Sequence, residues 1–148
     1  MSVTVRALVD GDHAAWRRLF RDYGVFYETH FADDVLDQVW AKLRAGDGVH
    51  ALVAEVDGEV VGFAGVGPGR DPGYELGREL YFIYVVPEHR RGAIGKALLK
   101  QADVDYLWIA EHNRAAQVFY RKQKFYPDSV RRVGALFGAE LPEIRMAR

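Results

Sequence analysis

The stretch that most constrains this chain runs from Glu79 to Ala110. It opens with ELYFIYVV (Glu79–Val86), a run of aromatic and β-branched residues that reads as a central strand. Pro87 ends it, because proline has no amide to give to a sheet. A helical stretch follows through about Ala102, and DYLWIA (Asp105–Ala110) reads as another strand. Strand, helix and strand in that order form a βαβ unit, whose two strands lie parallel through a crossover. A chain built around such a unit belongs to the α/β class, with helices packed on a mixed sheet.

The flanking segments fit around that unit. Val3–Leu8 alternates polar and apolar, as a half-buried strand does. Asp10 or Asp12 then caps a first helix, in which Ala15, Trp16, Leu19, Phe20 and Tyr23 recur at helical spacing. A second helix is predicted over Asp34–Arg44, with Val35, Val39, Trp40 and Leu43 facing inward and Gly46-Asp47-Gly48 stopping it. Two apolar runs between His50 and Val66 flank Asp57-Gly58, which suits a two-residue hairpin turn. GPGRDPG (67–73) is a loop. After the βαβ unit, Asn113 caps a helix carrying Ala116, Phe119 and Tyr120, and two strands are predicted near Ser129–Val133 and Glu143–Ala147. The expected whole is one domain over 1–148, a mixed central sheet of about seven strands flanked by about four helices.

Composition narrows what this domain does. The net charge is −1, and Arg131-Arg132, Arg145 and Arg148 are too few to make a basic face, so no nucleic-acid partner is expected. There is no cysteine, which removes disulfides, thiolate metal sites and a cysteine nucleophile, and fits a cytoplasmic setting. No stretch approaches the roughly 18 apolar residues that cross a bilayer, and MSVTVRALVDGD has no apolar signal core, so no membrane partner is expected. His13, His30, His50, His89 and His112 show no metal-ligand spacing, and no metal is expected.

The chemistry concentrates in PEHRRGAIGKALL (87–99), where strand becomes helix. A helix N-terminus offers unpartnered amides and partial positive charge, so phosphate binds there. Gly92 and Gly95 let the backbone approach a ligand, and Arg90, Arg91 and Lys96 add charge. The stretch suits a phosphate or pyrophosphate, yet it matches neither the P-loop nor the dinucleotide fingerprint.

Arg90-Arg91-Gly92-Ala93-Ile94-Gly95 resembles the R/Q-x-x-G-x-G/A signature of the GCN5-related N-acetyltransferase (GNAT) family. The aromatic strand before it and the N-x-x-A-x-x-F-Y pattern at Asn113, Ala116, Phe119 and Tyr120 resemble that family too, as does the upstream order of strand, two helices and hairpin. The resemblance implies an N-acetyltransferase domain with acetyl-CoA as co-substrate and a small-molecule or peptide amine as acceptor, joined in a ternary complex. It implies that Arg90, Arg91, Gly92, Ala93, Ile94, Gly95 and Lys96 hold the pyrophosphate. The backbone of Ile83 and Val85 takes the pantetheine arm as an added strand, and Asn113 contacts the coenzyme. Tyr120 lies at the coenzyme sulfur as general acid, and Glu79 serves as base through water. Glu79 opens its strand and should share a face with Tyr81, Ile83 and Val85. Tyr27, Phe31 and Tyr81 are the candidate acceptor residues, beside an acidic run of Asp22, Glu28, Asp33, Asp34 and Asp37 that would attract a cationic amine. The alternative on the same fold is a non-catalytic acyl-CoA-binding module. The C-terminal strands offer an edge to a second copy, so a homodimer is possible.

The chain departs from the family pattern at three points. Ala93 and Lys124 stand where glycine is usual, and the segment from Gly95 to Asn113 is short, which predicts a clipped third helix.

Overall fold

The computed structural model describes residues 2–91, 93–136 and 139–148. Strands β1 (Val3–Ala7), β2 (His50–Val56), β3 (Glu59–Pro68), β4 (Arg78–Val85), β5 (Tyr106–Ala110), β6 (Tyr126–Leu136) and β7 (Ala139–Ala147) form one seven-stranded sheet. Helices α1 (His13–Phe26) and α2 (Asp33–Arg44) follow β1, α3 (Ile94–Ala102) follows β4, and α4 (Arg114–Lys122) follows β5. The strand order is β1-β2-β3-β4-β5-β7-β6. The β4–β5 pair is parallel, as the βαβ reading requires, and the other pairs are antiparallel.

Strand alternation divides the core into two layers. On β2, Leu52, Ala54 and Val56 join Leu98, Leu99 and Tyr120 on the α3/α4 face. Ala51 and Val53 point the other way and meet Trp16, Phe20 and Leu36 beneath α1 and α2. The Asp57-Gly58 turn has φ of 52° and 80°, the pair of positive values a tight hairpin needs.

Several boundaries differ from the sequence reading. Helix α2 starts at Asp33, and Leu36, a position the periodicity did not single out, is fully buried. Gly67 and Pro68 belong to β3 rather than to the loop. Strands β6 and β7 are longer than expected: the added residues include Pro127, Gly134 and Pro142, types that weaken a strand pattern in sequence. Neither Asp10 nor Asp12 caps α1 through its side chain. Asp12 instead accepts both terminal nitrogens of Arg6, each at 2.8 Å, and the Val9 amide at 2.9 Å, tying α1 to β1. Ala93 has φ −85°, so the missing glycine causes no strain there. Lys124 does take the left-handed conformation, φ 72°, where the family's glycine would sit freely. Helix α3 is short, as the clipped segment predicts.

Candidate active site

Strands β4 and β5 pair only at Glu79–Tyr106 and Leu80–Leu107. Beyond that point β4 runs on to Val85 without β5, and β5 runs on to Ala110 paired with β7. The Val86 amide donates to the Val61 carbonyl at 2.9 Å, which orients Val86 and Tyr84 toward β3. Ile83 and Val85, out of phase with them, therefore present their backbone N–H and C=O to the gap. Arg90 Nε donates to the Val85 carbonyl at 2.9 Å.

A cleft of about 440 Å³ passes through this gap. Ile83, Ile109 and Tyr120 line it from the α3/α4 layer, and Tyr23, Leu43 and Phe82 from the α1/α2 layer.

A bulge decides which β4 side chains enter. Phe82 stands opposite Gly65 and Leu80 opposite Val66, so Tyr81 is an extra residue on β4. The expected common face of Glu79, Ile83 and Val85 is therefore broken, and Leu80 takes its place beside Ile83 and Val85. Glu79 instead sits 1% exposed at the strand start, held by Arg70. Arg70 Nη2 donates to its Oε2 at 2.7 Å, Arg70 Nε and the Arg70 amide to Oε1 at 3.2 Å each, and the Tyr106 hydroxyl to Oε1 at 2.7 Å. Arg78 turns away and closes the end of α3 through the Ala102 and Asp103 carbonyls.

Tyr106 is the hub of a network that sequence reasoning missed. Its hydroxyl also accepts the Arg70 and Asp71 amides, at 2.9 and 3.1 Å. Burial first, then the bond to Glu79, pushes its phenol well above the ordinary value. Asp71 in turn accepts Trp108 Nε1 and Arg145 Nη1, each at 3.0 Å. The one available signal was alternation in DYLWIA, which puts Tyr106 and Trp108 on the same face of β5.

The other candidate residues divide clearly. Tyr120 is buried on the cleft wall, and its hydroxyl has no hydrogen bond to a described residue. Burial raises its pKa, so it holds its proton throughout the neutral range. Asn113 caps α4 by accepting the Ala116 amide at 3.2 Å and donates to the Tyr27 hydroxyl at 3.2 Å. Tyr27 lines the cleft, and burial raises its phenol as well. Tyr81 also lines it, donating to the Pro68 carbonyl at 2.8 Å. Phe31 is seated in the core against Phe20, away from the cleft, because Gly24 leaves room for its ring.

At the turn before α3, Arg91, Ala93 and Lys96 are exposed and Ile94 is buried. A Cβ on Gly95 would lie 3.3 Å from the Phe119 ring, so glycine lets α3 approach α4. Gly92 lies outside the described residues. Arg90 folds back to Val85, with its guanidinium 5.2 Å from the Phe26 and Tyr84 rings. The acidic run stays off the cleft. Arg17 binds Asp33 and Asp37, and Arg21 binds Asp33. Among the described residues no group of three His, Cys, Asp or Glu side chains is arranged to hold a metal, and no helix is long and apolar enough to cross a membrane.

Comparison with known proteins converges on one family. Residues 47–127 match the acetyltransferase (GNAT) domain model. An uncharacterized N-acetyltransferase of Archaeoglobus fulgidus is 34% identical over 95 residues, 57% of this chain, and the chain spans only 63% of that relative. The ribosomal-protein-alanine N-acetyltransferase of Brucella melitensis superposes with TM-score 0.75 at 29% identity, over 98% of both chains. A Salmonella typhimurium protein solved with its cofactor acetyl-CoA shares the fold, with TM-score 0.73, 23% identity and coverage of 99% of this chain and 92% of that one.

Proposed function

The chain belongs to the GNAT acetyltransferase family, and from that premise we propose that it moves an acetyl group from acetyl-CoA to a primary amine by direct attack in a ternary complex. The observation that carries this reading is the parting of β4 from β5, which leaves the Ile83 and Val85 backbone groups unpaired on that edge, next to a cleft that Ile83 and Tyr120 line. The pantetheine arm pairs with that free edge, and Arg90 gives up the Val85 carbonyl to it. The turn from Arg90 to Lys96 binds the pyrophosphate. As the amine nitrogen bonds to the thioester carbon, the Val85 amide stabilises the oxygen that becomes negative. The carbon–sulfur bond then breaks, and the Tyr120 hydroxyl gives a proton to the departing sulfur. Both Glu79 oxygens already accept hydrogen bonds, so Glu79 takes part in removing the amine proton through water rather than by contact.

The test is calorimetric titration with acetyl-CoA, using dephospho-CoA and desulfo-CoA as comparators, followed by an assay of free thiol with amines. Micromolar binding and amine-dependent thiol release are expected. Binding without release for any amine would favour a non-catalytic acyl-CoA-binding module. No binding would overturn the proposal.

A further inference from the structure

The α1/α2 side of the cleft is cationic, contrary to the acidic approach expected from the sequence. Arg70, Arg132 and Lys42 line it, against Glu79 and Glu143. Each of those acids is already engaged. Arg70 holds Glu79, and Arg132 Nε donates to Glu143 Oε1 at 2.8 Å. Lys42 has no salt-bridge partner among the described residues.

The two arginines are built alike. Arg70 lies 4.0 Å over the Tyr81 ring and Arg132 4.0 Å over the Trp108 ring. Tyr81 and Trp108 both line the cleft. In each case a carboxylate fixes the guanidinium through Nε, a ring fixes its plane, and nitrogen donors remain unused. Arg70 keeps Nη1 and Arg132 keeps both terminal nitrogens. Trp108 joins the two, since its indole N–H binds Asp71, the neighbour of Arg70, while its face carries Arg132. Planar guanidiniums with free terminal nitrogens suit a carboxylate, and holding them in place beforehand lowers the entropy lost on binding.

We propose that this site selects a small amine that carries its own carboxylate, held by Arg70 and Arg132 with its amine directed into the gap between β4 and β5. Lys42 adds attraction at longer range. The inference rests on the acetyltransferase reading, since it names the acceptor for that reaction.

The experiment uses matched pairs, each an α-amino acid and the amine left when its only carboxylate is removed, such as phenylalanine with 2-phenylethylamine and leucine with 3-methylbutylamine. Spermidine serves as a polycationic comparator. Acetyl-CoA binding is measured first, so that its failure, which overturns the earlier reading, is separate from failure here. The expected kcat/KM is about 10- to 100-fold higher for the acid than for its decarboxylated partner, the range for a hydrogen bond to a charge. Arg132→Gln should shrink that ratio about tenfold or more with acetyl-CoA affinity unchanged, and Arg132→Lys should shrink it partway. A purely structural role for Arg132 would slow both members of a pair alike and leave the ratio standing, and that result would overturn the assignment. Equal rates within pairs, a preference for spermidine, or no turnover of any acid by protein that binds acetyl-CoA would each overturn the proposal.

Discussion

Replacing Tyr106 by phenylalanine isolates the network under the 69–77 loop. The ring fills nearly the same space, so packing on Tyr74, whose ring centre lies 4.2 Å away, survives. The hydroxyl is lost, and with it a bond to the buried Glu79 carboxylate at 2.7 Å. Hydrogen bonds to charged groups contribute about 1.5–3 kcal/mol. Two amides lose an acceptor as well: Arg70 N keeps Glu79 at 3.2 Å, while Asp71 N, on a residue whose side chain is 11% exposed, loses its acceptor. With one of the two amides still paired, the sum is about 2 kcal/mol. For a domain of this size that corresponds to a fall in Tm of about 4–8 °C. Urea unfolding followed by fluorescence should show a lower midpoint with an unchanged slope, because the surface exposed on unfolding is the same. A loss under about 0.5 kcal/mol would refute the reasoning and mean that water replaces the hydroxyl at no cost.

Three other perturbations follow from the structure. Tyr120→Phe should lower kcat about 100-fold or more while acetyl-CoA affinity, read by calorimetry, stays nearly constant; an unchanged kcat would remove Tyr120 as the proton donor. The Arg6 guanidinium, through its hydrogen bonds, holds the Asp12 carboxyl below its ordinary value. A carboxyl depressed on folding stabilises the native state above its unfolded pKa of about 4, and that contribution is lost as pH falls further. Wild-type stability should therefore drop more steeply below about pH 4 than that of Asp12→Asn, and parallel acid limbs in denaturation curves would contradict this. Lys124→Gly should raise stability by about 1 kcal/mol, since glycine adopts φ 72° without penalty, and a calorimetric Tm at or below wild type would count against the strain.

Much of the fold was legible because its signals are local. Asp57-Gly58 has turn chemistry that few other conformations share, and Pro87 marks where β4 must stop. The bulge at Tyr81 was not legible, because it depends on β3. A Cβ on Gly65 would collide with the Phe82 ring and one on Gly67 with the Tyr81 ring, so those glycines make room for aromatic rings on the neighbouring strand. ELYFIYVV by itself is an unbroken apolar run after Glu79, in which nothing marks an extra residue. Charge partners were equally hidden. The sequence displays Arg70, Arg90 and Arg145 as cations, while only three-dimensional proximity turns one to Glu79, one to the Val85 carbonyl and one to Asp71 and Asp128. Tyr120 and Asn113 fall within a recognisable pattern, whereas Arg132 belongs to none.

A sheet that parts in its interior has a seam as well as two outer margins. Amides along that seam should exchange with solvent faster than those between β2 and β3, though both lie near the middle of the molecule. An extended ligand that knits the seam acts as mortar: at a hundred times its dissociation constant it adds about 2.7 kcal/mol to folding stability. On the proposed reaction, the lifetime of the protein in a cell would follow the supply of that ligand, and starvation for it would expose the protein to proteolysis.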